Sequence, residues 1–184
     1  MLKIYFGLYV IYRSMTIGPD CSNFNENDVI KANDLREHVI KPTLEILAMA
    51  EPRIASDSAV ELLMGTAAQE SDLGYNLVQV GGGPGLGIYS IEPDTHADVL
   101  RYLNRPDKGF LRRAVMSLST DTTDEQLIFN LYYATAIARI RYWYEADPLP
   151  DDIRGHAAYW DDHYNANGVT QIEEYMDSYE GFVL

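Results

Sequence analysis

Only one cysteine, Cys21, occurs in 184 residues, so no disulfide can form within the chain. Basic residues are scarce: 14 Lys and Arg stand against 28 Asp and Glu, a formal net charge of -14. A surface of that sign repels phosphate backbones, which excludes nucleic acid as the main partner. Long apolar runs are missing as well. The stretch Ile4 to Tyr12, between Lys3 and Arg13, is far short of the ~20 residues a membrane span needs. No small-x-small cleavage site follows it, so it reads poorly as a signal peptide. No transmembrane span is expected. Metal-ligand spacing is absent too: His96 has no histidine four residues on and no cysteine near it, so no metal site is expected. The glycines at 81–83 lack the Gly-Lys-Ser/Thr ending of a phosphate loop. No cofactor is expected.

What is present suits one helical domain. The hydrophobic fraction is 47% and the charged fraction 23%, ordinary values for a chain long enough to bury a core. A helix is expected from Asp34 to Ala50, bent or restarted at Pro42. A second runs from a Ser56 or Asp57 cap to Ser71, with Gly74 as its stop. Ala59, Val60, Leu62, Leu63, Met64, Ala67 and Ala68 make it apolar on most sides, as in a core helix. Pro93 and Thr95 open a third, with Thr95 as a cap, and a short one follows over 108–118. The next, Asp124 to Tyr144, carries no charge from Leu127 to Ala138 and should be the core hub, with Arg139 and Arg141 marking its emergence into solvent. Asn130 on it must find hydrogen-bond partners. Two more helices, Asp152 to Tyr164 and Gly168 to Tyr179, close the chain, the last with Ile172 and Met176 facing in.

Charge is uneven along the chain. Residues 145–184 hold ten acids and one base, while residues 101–113 hold five bases and one acid. Two solvated faces that attract each other, or a basic patch for acidic peptides or a partner subunit, would both explain it. The N-terminal segment 1–33 reads as an extension and a candidate partner-binding arm. His38, among charged neighbours, reads as a surface residue.

One carboxyl stands out. Glu70 lies at the last turn of the apolar helix, partly desolvated and at the negative end of the helix dipole. Both effects disfavour its charged form and raise its pKa. A carboxyl protonated near neutral pH can serve as a general acid.

Glu70-Ser71, followed by Gly81-Gly82-Gly83-Pro84 and Gly87-Ile88-Tyr89-Ser90-Ile91-Glu92-Pro93-Asp94-Thr95, resembles the catalytic region of phage-encoded lytic transglycosylases of the lysozyme superfamily. Asn130-Leu131, Ala157-Ala158-Tyr159-Trp160 and His163-Tyr164-Asn165 resemble further motifs of that family; Trp160 stands where it has Asn, and Ser90 where it has Gln. The resemblance implies a mainly α, lysozyme-like domain over 34–184, with a glycine-rich loop or small β element beside the cleft. It implies cleavage of the β-1,4 bond between N-acetylmuramic acid and N-acetylglucosamine in peptidoglycan, with Glu70 as acid and then base.

Sugar contacts are expected from Ser71, Gln79, Tyr89, Ser90, Ile91, Tyr159 and Tyr164. Ser71 would also orient Glu70, and the backbone over Tyr89 to Ile91 would hold the N-acetyl sugar. Tyr159 and His163, four apart, share one helix face that could stack on sugar or pack the core. Asn130, Glu92 and His96 are expected to support the site. Glu92 could instead act as a second carboxylate, in which case the enzyme would be a hydrolytic muramidase. A third reading is a virion or tail protein with a relict lysozyme fold. The expected partners are glycan strands, with other virion proteins met through the N-terminal arm or the acidic C-terminal region. The implied location is the virion, or the host cytoplasm before release, with action on the periplasmic cell wall.

Overall fold

The computed structural model describes residues 30–79, 81–145, 147–165 and 169–184. The apolar run Ile4 to Tyr12, Cys21, most of the expected 1–33 arm and Gly168 lie outside the described residues. Among those described, the chain is mainly helical. The described residues form nine α-helices: α1 (Ala32–Leu35), α2 (Lys41–Ala48), α3 (Asp57–Ser71), α4 (Pro93–Leu103), α5 (Gly109–Met116), α6 (Gln126–Phe129), α7 (Leu131–Trp143), α8 (Ile153–His163) and α9 (Ile172–Phe182). Among the described residues, strand-like pairing is limited to two antiparallel bridges, Val78 with Leu86 and Leu86 with Ile91.

α1 and α2 are joined by a π-helical turn, Arg36–Ile40, so the expected helix starts earlier than Asp34 and widens before Pro42. Proline carries no N–H, so the carbonyl four residues back, on His38, loses its helical donor. Tyr132 fills the vacancy: its hydroxyl donates to the His38 carbonyl at 2.8 Å.

α3 begins where the Ser56 hydroxyl accepts from the Ala59 amide at 3.0 Å. Its middle is buried on nearly all sides, from Leu62 to Ala68. Gly65 is a packing position: a methyl there would sit 2.1 Å from the Tyr175 hydroxyl, which itself donates to the Leu62 carbonyl at 3.1 Å. Tyr175, Ser178 and Tyr179 are the buried side chains of α9, whereas Ile172 and Met176 are only partly buried against the core.

The expected hub helix is broken in two. Asn130 is extended (φ -114°, ψ 90°) and ends α6. Its side chain caps α7, accepting from the Tyr133 amide at 3.1 Å. Its amide nitrogen donates to the Leu118 carbonyl at 2.8 Å and to Gln126 Oε1 at 3.0 Å. An uncharged run predicts burial but not continuity; Asn competes with the helix for its own backbone. Residues Tyr133 to Ile140 of α7 are buried. Arg139 is buried among them rather than marking emergence into solvent. Its Nε donates to the Ile54 carbonyl at 2.8 Å, its guanidinium lies over the Trp143 ring, and burial pushes its pKa down to about 10.

The basic stretch at 101–113 pairs locally. Arg101 bonds Asp98, and Arg105 and Lys108 meet Asp107. Among the described residues, none of these bases forms an ion pair with the C-terminal acids.

Candidate functional site

Glu70 sits one residue before the end of α3. The helix stops in a run of three left-handed residues, Asp72 (φ 52°), Leu73 (φ 52°) and Gly74 (φ 86°), so the stop comes two residues before the expected glycine. Leu73 is buried and anchors the turn. Ser71 ties the turn to the motif that follows. Its hydroxyl meets the Ile88 carbonyl at 2.7 Å and the Ala67 carbonyl at 3.1 Å, and accepts from the Gly74 amide at 2.9 Å.

Residues 77–79 and 81–91 form a compact unit against that end. The Gly87 amide donates to the Leu77 carbonyl at 2.8 Å, and Leu86 exchanges both backbone bonds with Ile91. Gln79 spans the glycine-rich turn: its amide donates to the Gly85 carbonyl, and its side-chain oxygen accepts from the Gly85 amide at 3.1 Å. Gly87 has φ 71°, and a methyl there would lie 1.8 Å from the Leu127 carbonyl. The unit can therefore approach α6 only with glycine at that position.

Around Glu70 the side chains come from α7, α8 and the turn after α8. The Trp160 indole N–H donates to Glu70 Oε1 at 3.0 Å. Among the described residues, Oε2 has no hydrogen-bond partner. Trp160 is held in turn against the Tyr175 ring, with centroids 5.5 Å apart. Tyr164 stacks on Tyr142 at 5.1 Å, and its hydroxyl donates to the Tyr89 carbonyl at 2.8 Å. Burial of the Glu70 carboxyl raises its pKa from 4.5 to about 8; the Trp160 bond opposes the rise, and the negative charge of Glu92 adds to it. Glu70 nonetheless keeps partial solvent exposure as a residue. Burial, followed by the nearby Glu70 charge, also raises the Tyr164 hydroxyl well above its ordinary value.

The structure brings Glu70, Glu92 and Tyr164 together and sends several other expected residues elsewhere. Ser71 does not bond Glu70 and cannot meet sugar: it is 2% exposed, with its hydroxyl committed to the backbone. The Tyr89 side chain is wholly buried and its hydroxyl pairs with Thr135 at 3.1 Å. Ile91 is likewise buried, with its amide and carbonyl both taken by Leu86. The backbone from Tyr89 to Ile91 is therefore largely occupied internally, because it holds the short β-like unit together. Tyr159 is 6% exposed, and its hydroxyl donates to the Asp147 carbonyl at 3.1 Å. Its ring packs at a tilt against Tyr142 and His163, as core packing rather than as a sugar platform. Ser90 (φ 49°) and Gln79 remain partly exposed.

Asn130 supports structure through its cap. His96 is buried between Asp124 (Nδ1, 2.7 Å) and the Tyr133 hydroxyl (Nε2, 2.8 Å), joining α4 to the start of α7. Glu92, not Thr95, occupies the N-cap position of α4, with Pro93 at its first turn. Proline at the first helical position needs no donor, so the helix can start there.

Comparison with protein-family models, with curated proteins and with solved structures returned no match.

Among the described residues, no group of acids, histidines or cysteines could hold a metal ion, and no helix is long and apolar enough to cross a membrane. A surface cleft of about 550 Å³ is lined by Val39, Leu118, Gln126, Phe129, Asn130 and Tyr132 among others; Asn130 is the one expected site residue there. Reading the sequence missed Trp160 as the donor to Glu70, since its indole is a large apolar body whose N–H direction only packing fixes.

Proposed function

We propose that this protein cleaves peptidoglycan glycan strands as a lytic transglycosylase, with Glu70 as its one catalytic carboxyl. The observation that carries the reading is a carboxyl whose burial pushes its pKa up to about 8, on a residue that keeps some solvent exposure, fixed by Trp160 through one oxygen. At pH 7 such a group is about nine-tenths protonated. Its proton passes to the glycosidic oxygen as the C1–O bond breaks. The resulting carboxylate takes the proton of the muramic acid C6 hydroxyl, whose oxygen closes on C1 as a 1,6-anhydro ring. No water is consumed, and the acid is regenerated. The desolvated surroundings keep the carboxyl protonated at the start and make the carboxylate a stronger base for the second transfer.

A lysozyme-like fold would give this carboxyl a groove, and delivery within a virion or from the host cytoplasm would bring it to the wall. Glu92 favours a second reading, hydrolysis, because its charge reaches Glu70. In that case Glu92 would activate a water, and the products would carry reducing ends.

The test is digestion of purified peptidoglycan followed by mass analysis. Wild type should release anhydro-ended fragments. Glu70→Gln should lose at least about a hundredfold in rate while keeping its helical signal. Glu92→Gln should remain active as a transglycosylase. Reducing-end products abolished by Glu92→Gln would replace the transglycosylase reading by the hydrolytic one. A fully active Glu70→Gln would reject Glu70 as the catalytic acid in both readings, and an inactive wild type would leave the structural virion reading.

A further inference from the structure

The two oxygens of the Glu70 carboxyl meet different surroundings. Oε1 accepts from the Trp160 indole N–H at 3.0 Å, and Trp160 is only 2% exposed. Oε2 has no hydrogen-bond partner among the described residues and is not sealed from water. The charged and titratable groups that face the carboxyl are Glu92 at the start of α4, Tyr142 on α7 and Tyr164 beyond α8. The two tyrosine hydroxyls are engaged elsewhere, Tyr142 with Thr66 at 2.8 Å and Tyr164 with the Tyr89 carbonyl at 2.8 Å. Among the described residues, Trp160 is therefore the one donor that Glu70 receives.

That donor is braced by the helix that carries its acceptor. The Trp160 ring on α8 packs at a tilt on Tyr175 of α9, with centroids 5.5 Å apart. Tyr175 in turn donates to the Leu62 carbonyl of α3 at 3.1 Å. It passes so close to Gly65 that a methyl there would lie 2.1 Å from its hydroxyl. Glu70 lies in the last turn of the same helix. Three helices thus close a ring through Glu70, Trp160, Tyr175 and Leu62. Turning the indole away from Glu70 would displace one of these close-packed groups.

We infer that Trp160 is a positioning residue that gives the two Glu70 oxygens separate tasks: Oε1 stays the carbonyl oxygen, and Oε2 carries the proton that reaches the scissile bond. This rests on the glycan-cleaving reading of Glu70. An indole N–H only donates, and the carbonyl oxygen of a neutral carboxyl is a better acceptor than its hydroxyl oxygen. The bond to Oε1 therefore favours the form with hydrogen on Oε2, the oxygen open to a ligand. As the Oε2–H bond breaks, its electron pair stays on the carboxyl. The proton joins the glycosidic oxygen, which keeps the C1–O pair. The indole bond then becomes charge-assisted and about twice as strong, so Trp160 stabilises the reacting state more than the resting one. Oε2 next takes the C6 hydroxyl proton as that oxygen bonds C1, which restores the starting form.

Infrared difference spectroscopy of the full chain tests the assignment without needing turnover. Each protein is measured against its own Glu70→Gln form, at about pH 6, where burial keeps the carboxyl protonated; the difference isolates the Glu70 C=O stretch. The variants are Trp160→Phe and site-specific replacement of Trp160 by benzothienylalanine, which keeps the ring against Tyr175 and exchanges only the N–H for sulfur. In both, the stretch should move to higher wavenumber, because the carbonyl loses its donor. A stretch that stays put in the sulfur analogue would overturn the assignment, since the carbonyl oxygen would then be Oε2. On soluble glycan strands, kcat of the sulfur analogue at the plateau of the pH profile should fall about tenfold, with KM within about twofold. An unchanged kcat, whatever the KM, would overturn the positioning role. A wild type whose stretch responds to the loss of the indole N–H, yet which releases no anhydro fragments, sinks the glycan-cleaving reading and keeps the oxygen assignment. A wild type with no neutral-carboxyl stretch sinks both.

Discussion

Replacing Glu70 by Gln should make the protein more stable at alkaline pH while removing its activity. Burial holds the Glu70 proton in the folded chain up to about pH 8, whereas the unfolded chain releases it near 4.5. Between those values the folded state binds more protons than the unfolded one, so stability drains away as pH rises through the window. Below about pH 4.5 both states are protonated and the carboxyl contributes no pH dependence. At about 1.4 kcal/mol per pH unit, the interval from 4.5 to about 8 sets a ceiling of about 5 kcal/mol at pH 8 and above. Glu70 retains partial solvent exposure, and solvent screening brings the expected figure to about 2 kcal/mol. Glutamine does not titrate, yet its carbonyl oxygen can still accept from Trp160. Urea unfolding followed by circular dichroism at pH 5, 6, 7 and 8 measures the difference. The stability gap between Glu70→Gln and wild type should open in favour of the mutant by about 2 kcal/mol from pH 5 to pH 8. A gap that stays flat would mean that Glu70 ionises as a solvated carboxyl does. Such a group is charged at pH 7 and cannot donate a proton to a leaving oxygen, so the proposed chemistry would fail with it.

Three further perturbations address other parts of the same argument. Trp160→Phe removes the N–H that stabilises the Glu70 carboxylate, so the alkaline limb of the pH–rate profile should move up by about one unit; an unmoved limb would make Trp160 mere filler. Gly87→Ala forces a methyl to 1.8 Å from the Leu127 carbonyl at positive φ, and should cost more than about 3 kcal/mol of unfolding free energy; a cost below about 1 kcal/mol would contradict the close approach of the unit containing Gly87 to α6. Asn130→Ala removes the α7 cap and the bond to Leu118 and should lower stability by about 1–2 kcal/mol with little effect on turnover, as paired denaturation and rate measurements would show.

The periodicity and capping residues of the sequence determined most of the helices and the core. The apolar faces around Leu62 to Ala68 and Tyr133 to Ile140 are buried because no other environment suits them. The placement of Glu70 at a helix end, with a raised pKa, was also legible, since a carboxyl adjoining such a face must be partly desolvated. The break at Asn130 was not legible, because it depends on the Leu118 carbonyl arriving from another segment to be bonded. Nor were the inward turns of Tyr89 and Tyr159, which the sequence offers as amphipathic rings able to face sugar or core. Their hydroxyls found Thr135 and Asp147 only after the helices packed. Trp160 reached Glu70 across a separation of 90 residues. Local sequence fixes which side chains must leave water; which polar atom each of them meets there is settled by distant parts of the chain, because a buried hydrogen bond requires a partner at one distance and angle that no local pattern encodes.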